Sequence, residues 1–150
     1  MRKTTVGLLC IASTASFAES DMMPLDRILE RQPEKSYQYV RCAAFYLANV
    51  EWAGQALSEE VFESSKRSVE NLLLIATLVR SADSADGVEH IAETVNLDTR
   101  QIADFYLANY RDNYALRGTA WEANEVWEGD AGTCRPIAEA ASQIAVELGE

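Results

Sequence analysis

Histidine is nearly absent from this 150-residue chain, which has only His90. A di-iron bundle site of the two Glu-x-x-His type therefore cannot be assembled. Cysteine is also scarce: three residues, none in C-x-x-C or C-x-x-C-H spacing, which removes the usual redox and haem-attachment motifs. No P-loop, G-x-G-x-x-G, G-x-S-x-G or H-E-x-x-H occurs, so the common nucleotide, acyl-transfer and zinc-hydrolase signatures are missing. Bases are outnumbered, 13 Lys+Arg against 24 Asp+Glu, for a net charge of −11. A chain this acidic has no surplus of cations to release counterions from phosphates, which argues against a nucleic-acid partner. Proline occurs at 24, 33 and 136 only, leaving 102 residues free of it between the last two. That gap permits long helices.

The N-terminus reads as an address. Arg2 and Lys3 precede the apolar run Val6–Ala12, and Ser16-Phe17-Ala18 puts small residues at −3 and −1 of a cleavage point. This is the pattern of a secretory signal peptide over 1–18, followed by a single helical domain over 19–150. The apolar run is too short to cross a bilayer, so no membrane span is expected in the mature form. A lipoprotein is disfavoured because Leu9, not a small residue, precedes Cys10. Removal of 1–18 leaves 11 bases against 24 acids, a charge of −13, and two cysteines, Cys42 and Cys134. In the periplasm or outside the cell such a pair is expected to form a disulfide. Closing a loop of 92 residues stabilises a fold by roughly 4–5 kcal/mol on chain entropy.

The remainder is periodic at helical spacing, with no clear alternation and no N-G or D-G turn joining two β-rich runs. The expected fold is all-α: a four-helix-bundle-like domain with short additional helices. The four pillars fall at about 34–57, 59–81, 98–117 and 135–148. Ser58, followed by Glu59 and Glu60, is the N-cap of the second. Its run Leu72–Ile75 is apolar on all sides, which predicts the deepest burial. Short helices are expected at 25–31 and 88–96, and one bearing Trp121 and Trp127 is expected to end near Gly129. Asp98, with Gln101 three residues on, should cap the third pillar, and Gly118 should close it. Phe45-Tyr46-Leu47-Ala48-Asn49 recurs as residues 105–109, as would follow from duplication of a hairpin or from coincidence between two core helices.

Candidate functional residues are few. Asp83, Asp86, Glu89, His90 and Glu93 are weak metal-ligand candidates. The stretch 82–93 has an EF-hand's Gly and final Glu, but Ala82 stands where an acid is required. No metal and no cofactor is expected. Tyr106, Tyr110 and Tyr114 recur at i, i+4 and i+8, on one helix face. With Trp121 and Trp127 they form the candidate partner-binding set, since Tyr and Trp are enriched at binding hot spots. Acids cluster without a base between Arg80 and Arg100 and again from Thr119 to Asp130; one negative surface made of both would steer a basic partner. The resulting expectation is a periplasmic or secreted, non-enzymatic interaction protein of the bacterial envelope, binding a basic protein as an inhibitor, immunity protein or chaperone-like binder. The alternatives are a bundle that binds a small ligand or divalent cation, and a hydrolase working through paired carboxylates.

Overall fold

A computed structural model describes residues 22–149 of the chain; the expected signal peptide lies outside the described residues. The helices are α1 (Leu25–Leu29), α2 (Tyr37–Ala53), α3 (Glu59–Ala82), α4 (Val88–Arg117) and α5 (Glu125–Gly149), with a 3-10 turn at Gly54–Ala56. No strand occurs among the described residues. The all-α bundle expected from the periodicity is the observed fold.

Two starting and stopping signals act where the sequence places them. The Ser58 hydroxyl accepts the Val61 amide at 3.3 Å, satisfying one of the donors that open α3. Gly118 ends α4 with φ 76°, a left-handed conformation that costs glycine little.

The helix boundaries depart from expectation in three places. The short helix at 88–96 and the pillar at 98–117 are one 30-residue helix, α4. Nothing at Asn96–Asp98 breaks a helix. The Asp98 carboxylate does not cap; it receives Arg80 Nη1 at 2.8 Å from α3. The expected helix bearing both tryptophans does not form as such: Trp121 lies in the turn before α5, and its Trp127 part is continuous with the pillar at 135–148 in α5, which runs through Gly129, Gly132 and Pro136. Glycine weakens a helix by only about 1 kcal/mol, which tertiary packing can offset. Gly129 has a positive reason to be there: a Cβ at this position would lie 2.9 Å from Pro24 Cβ. Finally, the first pillar is α2, three residues shorter at its start and turned into the 3-10 element at Gly54.

The deepest helix is α2, not α3. Val40 through Phe45 is continuously buried; α2 packs against α1 as well as α3, α4 and α5, whereas α3 does not touch α1. Leu74 and Leu78 on α3 are each 42% exposed, so the run at 72–75 has one solvent-facing side. The backbones of α4 and α5 stay apart, on opposite sides of the α2–α3 pair.

Cys42 and Cys134 are at disulfide distance, with 2.09 Å between sulfurs and 5.2 Å between Cα atoms. Both are fully buried. The bridge joins the first turns of α2 to the middle of α5.

The repeated pentapeptide does not occupy equivalent places. Phe45 is 4% exposed and Phe105 is 61% exposed, whereas Tyr46 is half-buried and Tyr106 is fully buried. The two copies turn different residues to the core. Similar composition, not a repeated environment, is what they share.

Candidate functional site

Two sites stand out, one sealed and one open. The sealed one surrounds Asp130 on α5. Its side chain is fully buried, and that of its partner Arg41 on α2 is 4% exposed. Arg41 donates to Asp130 Oδ2 through Nε at 2.9 Å and Nη2 at 2.7 Å. The Tyr106 hydroxyl from α4 donates to the same oxygen. The other oxygen, Oδ1, accepts the Leu25 amide at 2.5 Å. Arg41 Nη2 also donates to the Met23 carbonyl at 2.9 Å, and its guanidinium lies 4.7 Å from the Tyr106 ring centroid.

These contacts fasten residues 23–25 to three helices. Burial alone would lower the Arg41 pKa, but Tyr106 and Asp130 outweigh it and hold the guanidinium above its ordinary value. Burial, with the Asp130 charge behind it, pushes the Tyr106 phenol well up. Tyr110 is raised for the same reasons. Every carboxylate oxygen has partners, and all three side chains are shut from solvent. The arrangement is chemically quiet: it clamps the segment before α1, and offers no free base or nucleophile.

Sequence reasoning missed both charged members, because an isolated Arg or Asp on a helix ordinarily faces water. The usable signal was position. Arg41 adjoins Cys42, and Asp130 lies one turn before Cys134, so the disulfide that joins α2 to α5 brings the two charges within reach.

The open site is a groove of about 390 Å³. Its floor is α2, at Phe45, Tyr46, Asn49 and Val50; its walls are the first turns of α3, with Leu57 just before them, and the N-terminal half of α5. Trp121 and Trp127 stack along the α5 side, with ring centroids 6.0 Å apart and planes 27° from parallel. The turn ahead of α5 holds them there. Asn113 Nδ2 donates to the Thr119 and Glu122 carbonyls at 2.8 and 3.1 Å. Asn124 caps α5, accepting the Trp127 amide at 3.2 Å. Trp127 Nε1 donates to Asn49 Oδ1 at 3.0 Å, as does the Tyr110 hydroxyl. The Trp121 indole N–H is buried and has no acceptor among the described residues. Val61 and Phe62, in the first turn of α3, are 48% and 40% exposed.

The predicted residues divide accordingly. Trp121 and Trp127 line the groove together. Tyr106 and Tyr110 are fully buried, so they do not present a partner surface. They sit between α2 and α4, and their hydroxyls are spent on Asp130 and Asn49. Tyr114 is 56% exposed and packs edge-on to Trp52, away from the groove. Asp83 pairs with Lys35 at 3.1 Å, and Asp86 accepts the Ser84 hydroxyl at 3.1 Å. Glu89, His90 and Glu93 are exposed along the start of α4. Among the described residues no group of His, Cys, Asp or Glu converges as a metal site.

The two acidic blocks do not join. The loop at 83–87 and the loop at 119–124 lie at opposite ends of α4, and 30 helical residues span about 45 Å. Several of their acids are also matched, Asp98 by Arg80 and Glu125 by Arg27, while Asp130 is buried.

Compared with family models, curated proteins and solved structures, the chain matches none. No helix among the described residues is long and apolar enough to cross a membrane.

Proposed function

We propose that this chain is an exported, non-enzymatic binding protein whose docking site is the groove of Trp121 and Trp127. The observation that carries this reading is an apolar trough with two stacked indoles in its wall and exposed Val61 at its edge. Paired Trp side chains supply large contact area at low conformational cost. The buried disulfide and the Asp130 clamp support a rigid frame around it, so docking need order little of the protein itself. Export is supported by the Arg2–Ala18 pattern and by a cysteine pair at disulfide distance. The charge of −13 after leader removal supplies a diffuse field that favours a basic partner at long range.

The test compares tagged, oxidised wild type with Val61→Glu in capture from envelope extract. Val61 is half exposed, so the variant should fold, yet it puts a charge at the groove mouth. A defined partner retained by wild type and lost by the variant supports the reading. Retention of the same partner by both places docking elsewhere and refutes it.

A further inference from the structure

The chemistry of the groove specifies more than an apolar contact. Among its lining residues Arg135 alone carries a formal charge, and it is positive in a strongly acidic protein. Among the described residues its ion-pair partner is Glu139, one turn further along α5 at 3.6 Å, too long for a good hydrogen bond. Asn49 has its carbonyl oxygen taken by Tyr110 and Trp127, so its amide nitrogen is what it offers. Tyr46 stays a protonated phenol to higher pH than usual, raised by burial and by Glu139. The lining thus supplies the Asn49 amide, the Tyr46 phenol and one cation around an apolar floor, and the carboxylate nearest that cation, Glu139, stands outside the lining.

We infer that the groove takes the carboxyl terminus of a partner polypeptide, with the apolar last side chain against Trp121 and Trp127 and the carboxylate toward Arg135. The inference rests on the groove being the docking site. A polypeptide end fits better than a free amphiphilic acid for two reasons. The trough is open along one side, whereas small-molecule sites enclose most of their ligand. A free monoanion is also repelled by the protein's net charge, while a carboxylate carried on a basic body is drawn in.

The experiment is a Trp-fluorescence titration of the oxidised protein with acetylated hexapeptides ending in Phe, Trp or Leu. Each peptide is used as the free acid and as the C-terminal amide. Arg135 is largely exposed, so the carboxylate should improve binding by only about two- to fivefold at low salt. The advantage should shrink as salt rises. Arg135→Gln should bring acid and amide to the same affinity, and Val61→Glu should weaken both. Equal binding of acid and amide by wild type, or an acid preference that survives Arg135→Gln, overturns the carboxylate inference and leaves the groove reading standing. Failure of every peptide, with dodecanoate binding in an Arg135-dependent way, overturns the polypeptide occupant. Failure of every probe overturns the inference, and the groove reading falls as well only if Val61→Glu also leaves partner capture unchanged.

Discussion

Replacing Asp130 with alanine should be among the most damaging single changes available in this protein. The substitution removes a carboxylate that is fully buried and accepts four hydrogen bonds, from Leu25, twice from Arg41, and from Tyr106. What remains is an Arg41 guanidinium, 4% exposed, with no counter-charge. Breaking one side of a buried pair costs about 3–5 kcal/mol, chiefly because the surviving charge is stranded. A cavity adds to that cost. The loss is a large part of the 5–15 kcal/mol typical of whole domains. At roughly 3–4 °C per kcal/mol for a domain of this size, the melting temperature should fall by about 10–20 °C. The assay is urea and thermal unfolding followed by far-ultraviolet circular dichroism, with the disulfide intact. Asp98→Ala is the control: its partner Arg80 is also bonded to Ser36 and Glu34, and such part-exposed pairs contribute about 1 kcal/mol or less. The triple variant Arg41→Met, Tyr106→Phe, Asp130→Leu removes all three polar side chains together, and should recover much of the loss. If Asp130→Ala unfolds within about 1 kcal/mol of wild type, the clamp as described is wrong.

Further outcomes follow from the same structure. Gly129→Ala should destabilise by about 1–3 kcal/mol, because its Cβ meets Pro24, whereas Gly132→Ala, with open space around it, should stabilise by up to about 1 kcal/mol; paired urea titrations separate the two. Phe45→Ala should cost about 3–5 kcal/mol and Phe105→Ala little, given 4% against 61% exposure, a comparison that unfolding of each variant settles. Tyr106 and Tyr110 have folded-state pKa values raised above the unfolded value. Their stabilising contribution is therefore complete below about pH 10 and lost as pH climbs toward the folded values, by up to roughly 1.4 kcal/mol per pH unit per tyrosine. Urea midpoints measured from about pH 9 to about pH 12 should fall with pH, and Tyr110→Phe should reduce the slope. Eliminating the disulfide with Cys42→Ser and Cys134→Ser should cost about 4–5 kcal/mol for the 92-residue separation, readable as a drop in urea midpoint.

Much of this architecture was legible from periodicity and punctuation. The Ser58 cap, the Gly118 stop and the Cys42–Cys134 pairing follow from residue types whose local or covalent preferences are strong. The misplaced boundaries share one cause. Asn96–Asp98 and Gly129–Pro136 look like breaks because their residues are poor helix formers, yet poor formers only weaken a helix. Packing along α4 and against Pro24 decides whether it continues. Burial depth was misassigned for a similar reason. Leu72–Ile75 is locally more apolar than α2, but α2 is covered by α1 in addition to the other three long helices, and that is a property of the assembly.

Trp121 and Trp127 stood out in the sequence as candidate contact residues, since a short segment between glycines carries two indoles among acids. That they form a groove depends on Tyr46 and Leu57, brought beside them by the crossing of α2, α3 and α5, which no local pattern encodes. The tyrosine stripe shows the limit of spacing alone. Tyr106, Tyr110 and Tyr114 do stack at one helical spacing, yet the first two are walled in by α2 while the third meets Trp52 at the end of α2 and stays 56% exposed.

Docking at the groove floored by α2 would bring a partner within reach of a photoactivatable cross-linking residue placed at Ser65, which lines the groove, and not of one placed at Asp104, exposed on α4. Irradiation of the oxidised protein in envelope extract should give one defined adduct from position 65 and none from position 104. An adduct from position 104 alone, or the same adduct from both, would put docking somewhere other than the groove.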